Sequence, residues 1–119
     1  MVYSFRLPGF VPNGKSVVLN MGQYKASLVE VLVNGVSAGE LFGKCRSRMD
    51  ITALLGREEN TLELKLVGSP RNMYGPFHHP DDSCSRISWA DFRSEGDGRC
   101  DDYILTPYGI MGQIILSLE

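Results

Sequence analysis

His78-His79 is the sharpest polar feature of the chain. Adjacent imidazoles can ligate a transition metal, and Asp81, Asp82 and Cys84 follow closely. The spacing matches neither H-x-x-x-H nor any pattern that sets three ligands on one regular element. Loop histidines hydrogen-bonded to backbone are the expected state, with no metal site. The carboxylates Asp81, Asp82, Asp91, Glu95, Asp97, Asp101 and Asp102 contain enough groups for an acid and a base. Hydrolysis by such a pair needs two carboxyls opposed across a cleft, one with a raised pKa. Nothing in the spacing pairs any two of them, so a solvated acidic loop is expected. The run Asp97-Gly98-Arg99-Cys100-Asp101-Asp102 has the oxygen density for Ca²⁺ but fails the twelve-residue calcium-loop pattern. No cofactor is expected, a structural Ca²⁺ in this run being the alternative. Gly9, Gly14, Gly22 and Gly35 are isolated turn glycines rather than a phosphate cradle, and no G-x-S-x-G elbow is present. The chain alone is not expected to be an enzyme.

Composition narrows the partners. A formal net charge of -2, from 12 basic and 14 acidic side chains, gives no general field for nucleic acid or an anionic membrane. No run of 18 apolar residues spans a bilayer. Met1-Val2-Tyr3-Ser4-Phe5-Arg6 carries no basic, apolar leader, an absence without weight in a fragment of a longer protein. Cys45, Cys84 and Cys100 are odd in number and widely spaced, which favours reduced thiols over a framework, with a Cys84–Cys100 bond as the alternative. At 119 residues, 43% of them hydrophobic, the chain can bury a core without staples.

The elements that must position these side chains read as strands. Val29, Val31 and Val33 alternate along one segment, Leu62, Leu64 and Leu66 along another, and Ile114, Leu116 and Leu118 along a third. Half-buried antiparallel strands require that period of two. Weaker strand candidates run over Tyr3 to Leu7, Lys15 to Asn20, Ser37 to Phe42 and Tyr103 to Thr106. Asn34-Gly35 between strand-like flanks signals a type I′ hairpin, because both residues tolerate left-handed dihedrals. Asp50 can cap a short helical turn whose Ile51, Leu54 and Leu55 plug one end of a sheet pair. No long helix is expected. Residues 69–100 lack sustained periodicity and are rich in Gly, Pro, Asp, Ser and His, yet carry Tyr74, Phe77, Trp89 and Phe92. The expectation is all-β: one antiparallel β-sandwich of jelly-roll type over residues 1–119, with a long irregular loop at 69–100. An open barrel of the oligonucleotide-binding kind fits the periodicity too, but the acidic balance and the lack of a basic-aromatic strand disfavour it.

Val29-Glu30-Val31-Leu32-Val33-Asn34-Gly35-Val36-Ser37-Ala38-Gly39-Glu40-Leu41 resembles the V-x-V-N-G…G hairpin of galactose-binding-like β-sandwich domains in bacterial glycoside hydrolases. Met49 through Leu55, then Glu59-Asn60-Thr61-Leu62-Glu63-Leu64, look like that family's D-I-T…L turn and G-x-N-x-L strand, with Glu59 departing from the glycine-led form. Arg71 through His79 and the ending with Pro107-Tyr108-Gly109 are similar to C-terminal accessory domains of polysaccharide-degrading enzymes. The resemblance covers nearly the whole chain. It implies a non-catalytic accessory domain that supports an adjacent catalytic domain in a secreted or periplasmic parent protein. The alternative it implies is a carbohydrate-binding module with weak affinity for an oligo- or polysaccharide. Sugar contact would draw on Tyr74, Phe77, His78, His79, Trp89, Arg93 and Tyr108, aromatic faces packing on C–H surfaces while planar polar groups read hydroxyls. The expected state of Trp89, the only Trp, is nevertheless an anchor of the core or the loop, and that of Tyr74 and Phe77 is packing the loop onto the sandwich. Arg71 could hold the loop or a neighbouring domain through a carboxylate fork. The supporting role implies an apolar patch of several hundred Å² on the isolated chain.

Overall fold

The computed structural model describes residues 1–11, 13–42, 48–79, 88–96 and 98–119. They divide into two compact units, Met1–Gly68 with Tyr108–Glu119, and Ser69–Pro107.

The first unit is all-β and antiparallel. Its strands are β1 (Val2–Leu7), β2 (Val17–Met21), β3 (Tyr24–Lys25), β4 (Leu28–Val33), β5 (Val36–Phe42), β6 (Arg48–Asp50), β7 (Asn60–Val67), β8 (Gly109–Ile110) and β9 (Ile114–Leu118). They form a four-stranded sheet in the order β1-β7-β4-β5, a three-stranded sheet β6-β2-β9 and a small β3-β8 pair. This is the expected sandwich architecture. The core lies where the period of two placed it: Val29, Val31 and Val33 of β4 and Leu62, Leu64 and Leu66 of β7 are buried, against Val17, Leu19 and Met21 of β2. β-branched and leucine side chains at alternate positions fill the space between pleated faces, while Glu30 pairs with Lys65 (3.6 Å) across the other face of β4 and β7.

Turn chemistry sets the register. Asn34 and Gly35 adopt φ of 53° and 78°, as a type I′ turn requires, and Val33 pairs with Val36 across them. The Asn34 side chain then reaches out of the hairpin, accepting from the Thr61 N–H (2.9 Å) and donating to the Leu54 carbonyl (3.0 Å) and to Asn60 Oδ1 (2.8 Å). Asn60 is the sole buried polar residue among the described ones, at 0% exposure. Its Nδ2 donates to the carbonyls of Pro8, Gly56 and Glu58, and its Oδ1 also accepts from the Gly56 N–H. One amide thereby ties the end of β1, the bend before β7 and the β4–β5 turn together. The Asp50 turn also forms, as a 3₁₀ turn over Thr52–Leu54, with Asp50 Oδ1 accepting from the Thr52 N–H (2.9 Å) and Ile51 buried. The Thr52 hydroxyl first, and then that N–H, hold the Asp50 carboxyl below the usual carboxylate range.

Two expectations change. Tyr103 to Thr106 is not a strand: Ile104 donates to the Phe77 carbonyl, and Thr106 bonds to the Asn72 side chain instead of a ladder. β9 forms as a strand, but Leu116 and Leu118 of its apolar row stay 37% and 61% exposed. Where the chain leaves and re-enters the sandwich, Gly68 lies under the Tyr108 ring. A Cβ there would sit 2.7 Å from Tyr108 Cε2, and the Tyr108 hydroxyl donates to the Leu66 carbonyl (2.5 Å).

Candidate functional site

In the second unit, a four-residue helix α1 (Arg71–Tyr74) opens the segment after Pro70. A Pro at the helix entrance lacks only an N–H that would have no intrahelical partner. The Arg71 guanidinium donates to the Pro76 carbonyl (3.0 Å), so it holds the loop through backbone rather than through the carboxylate fork expected from sequence. Asn72 closes the unit's base, donating to the Thr106 carbonyl (2.8 Å) and accepting from the Thr106 N–H (2.9 Å). The second element is a 3₁₀ turn over Trp89–Asp91, opened by a Ser88/Asp91 capping box. The Ser88 N–H on the Asp91 carboxylate (2.5 Å) is the main cause of a pKa below the usual carboxylate range, opposed by desolvation and helped by His79 and Arg93.

The sequence-derived candidates fall into three groups. His79, Trp89 and Arg93 meet around the Trp89–Asp91 turn: His79 Nε2 lies 3.5 Å from Asp91 Oδ1, and Arg93 Nε donates to the Ala90 carbonyl (2.8 Å). Trp89 is 89% exposed there, and so anchors neither core nor loop. Phe77 and His78 gather on Tyr103, with ring centroids 6.0 and 4.7 Å from it, and His78 Nδ1 lies 3.1 Å from the Cys100 carbonyl. The Ile104 N–H on the Phe77 carbonyl and the Cys100 N–H on the His78 carbonyl clamp the same two turns together. Tyr74 stands exposed on α1. Tyr108 belongs to the sandwich unit, where its hydroxyl is spent on Leu66.

Asp81, Asp82, Cys84, Asp97 and Cys45 lie outside the described residues. Cys100 is a free thiol, its Sγ 3.4 Å from the Asp102 carbonyl, and Cys84 of the alternative bond lies outside the described residues. Among the described residues, no three of the His, Cys, Asp and Glu side chains gather as a metal set. No described helix is long and apolar enough to cross a membrane.

A feature the sequence reading missed lies in the sandwich unit. Leu7, Pro8, Phe10, Val17, Leu55 and the row Leu116/Leu118 line an apolar groove of about 180 Å³. Val17 and Leu19 of β2 pair directly with Leu118 and Leu116 of β9, so both rows share the core-facing side of the sheet. The core-facing residues of β2 are buried with the four-stranded sheet and Ile114 of β9 packs against that core, whereas Leu116 and Leu118 stay exposed. The alternation of Ile114, Leu116 and Leu118 was legible. That its Leu116 and Leu118 end stays exposed depends on sheet order, which alternation does not encode.

No protein-family model matches the chain, and no curated protein matches it. Among solved structures it is similar to a rhamnosidase from Novosphingobium sp. PP1Y, with a TM-score of 0.63 and 26% sequence identity. The match covers 99% of this chain and 10% of that one, so the chain spans about a tenth of the solved relative's length.

Proposed function

We propose that this chain is a non-catalytic β-sandwich accessory domain of a glycoside hydrolase, whose main role is structural support of an adjacent catalytic domain. The observation that carries the reading is the match of nearly the whole chain to a small part of a rhamnosidase. Two further observations support it. Asp50 and Asp91 are held below the usual carboxylate range by hydrogen bonds from Thr52 and Ser88, the reverse of what a general acid needs. The sandwich also exposes an apolar groove that solvent does not favour, as a supporting domain would.

The test is to delete residues 1–119 from the native polypeptide that carries them. The expected result is a lower Tm with kcat/KM per folded molecule retained. A folded deletion protein that has lost activity by several orders of magnitude would show that this chain supplies catalytic groups, and would overturn the reading.

A second reading, a carbohydrate-binding module, is favoured by one observation: Trp89 stands almost fully exposed one turn from Arg93. A bare indole offers a stacking face, and a guanidinium on the same turn offers hydroxyl-directed donors. Trp89 is the only tryptophan, so its fluorescence in a saccharide titration, with and without Ca²⁺, reports the contact directly. A saturable shift abolished by Arg93→Ala supports this reading; a flat titration against a glycan panel removes it.

A further inference from the structure

We propose that the open side of the sandwich is where a larger polypeptide seats this chain. The seat combines the groove with the bare edge of β9, and the occupant is an uncharged, extended, apolar segment of that polypeptide laid along β9. The proposal rests on the accessory-domain reading and adds to it the docking surface and the chemistry of what docks.

The backbone of β9 is half used. Ser16 and Glu119 exchange both backbone hydrogen bonds (2.8 and 2.9 Å), and the register places Val18 opposite Ser117 and Asn20 opposite Ile115. Antiparallel pairing alternates, so the odd-numbered residues turn their N–H and C=O groups toward β2. Those of Ile114, Leu116 and Leu118 face outward, and β9 is the last strand of its sheet. Two of these residues present the uncovered end of the apolar row, Leu116 and Leu118, with Leu118 61% exposed while its partner Val17 is 5% exposed, and Ile114 packs against the core. Ile115 is exposed on the opposite face.

Edge strands are ordinarily guarded by charge. β1 carries Arg6, β5 carries Glu40, and β6 carries Arg48 and Asp50. Nothing charged interrupts Ile114–Leu118. An unguarded edge with outward donors and acceptors every second residue is the template for strand addition, in which backbone bonds supply affinity and alternate side chains fill pockets. The pocket here is lined by Leu7, Pro8, Phe10 and Leu55, so a charged side chain entering it would be desolvated without a partner. An extended apolar segment satisfies both halves of the surface.

The source of that segment follows from length. Nearly all of this chain corresponds to a tenth of the rhamnosidase, so most of that polypeptide lies outside the match. A second copy of this chain is the competing occupant, because β9 could pair with itself.

Amide hydrogen exchange on the 119-residue chain and on the native polypeptide that carries it separates these outcomes. In the isolated chain the amides of Ile114, Leu116 and Leu118 should exchange fast, and those of Ile115 and Ser117 slowly. In the longer protein the first three should slow by about 100-fold or more. Leu118→Lys, alone and with Leu116→Lys, should restore fast exchange there while the Val31 and Leu64 amides stay protected, showing that the sandwich itself persists. Fast exchange of all three in the folded longer protein would overturn the docking surface and leave the accessory-domain reading standing. Slow exchange in the isolated chain, with a dimer in sedimentation that Leu118→Lys dissolves, would overturn it in favour of a second copy. A native polypeptide with the mass of this chain alone would overturn both.

Discussion

Replacing Asn60 with alanine removes the most connected side chain of the sandwich. The amide makes five contacts: Nδ2 to the Pro8 (3.1 Å), Gly56 (3.1 Å) and Glu58 (3.0 Å) carbonyls, and Oδ1 from Asn34 Nδ2 (2.8 Å) and the Gly56 N–H (2.6 Å). Nδ2 has two hydrogens for three carbonyls, so one is shared and the set is worth about four full bonds. At a net ~1 kcal/mol each, with part of the orphaning penalty relieved by water entering beside Pro8 and Glu58, the loss comes to about 3–5 kcal/mol. For a domain of this size that is a fall in Tm of roughly 12–20 °C. Asn60→Asp should be at least as damaging at neutral pH, because it sets a buried carboxylate against carbonyl oxygens. Thermal and urea unfolding of the two variants measure this. A loss below about 1 kcal/mol for Asn60→Ala would mean that water replaces the amide, and would refute its role as the tie between β1, β7 and the Asn34 hairpin.

Three other outcomes are expected. Leu64→Ala, at a fully buried position, should cost about 2–5 kcal/mol, whereas Trp89→Ala should change stability by less than about 0.5 kcal/mol; urea midpoints decide both. For pH, the folded pKa values of Asp50 and Asp91 are depressed, so their contribution is present above the unfolded carboxylate pKa and lost as pH falls through the folded values. Acid titration followed by Trp89 fluorescence should therefore show a transition at the low end of the carboxylate range, and Asp91→Asn should abolish it. Gly35→Ala, which places a Cβ at φ of 78°, should destabilise by about 1 kcal/mol in the same urea assay.

The legible parts were those fixed by local periodicity and turn chemistry. Val29/Val31/Val33 and Leu62/Leu64/Leu66 announce buried faces, and Asn34-Gly35 announces its hairpin, because a few neighbouring residues suffice to specify each. β3, β6 and β8 were not read, being two or three residues long and created by their partners rather than by their own pattern. Asn60 looked like one position in a strand motif; its burial depends on three segments that converge only in the fold. Among the candidate site residues, sequence named the aromatic and imidazole side chains of residues 69–107. It could not tell that Phe77 and His78 share Tyr103, or that His79 comes to the Trp89–Asp91 turn, since the first grouping arises from backbone bonds, and the second from a side-chain contact, between residues apart in sequence.

The contact between Gly68 and the Tyr108 ring bears on how such a chain can vary. Residues 69–107 leave and return through one narrow gate, locked by the Tyr108–Leu66 hydrogen bond and by the absence of a Cβ at position 68. Each doubling of a loop closed at its base costs only about 0.6 kcal/mol. The sandwich is therefore nearly indifferent to what is threaded through the gate. Longer, shorter or wholly different insertions could be exchanged there by recombination or by design, with Gly68 and Tyr108 as the two splice points. Selection could then rewrite the aromatic-rich insert while the sandwich core of buried valines and leucines stays constant.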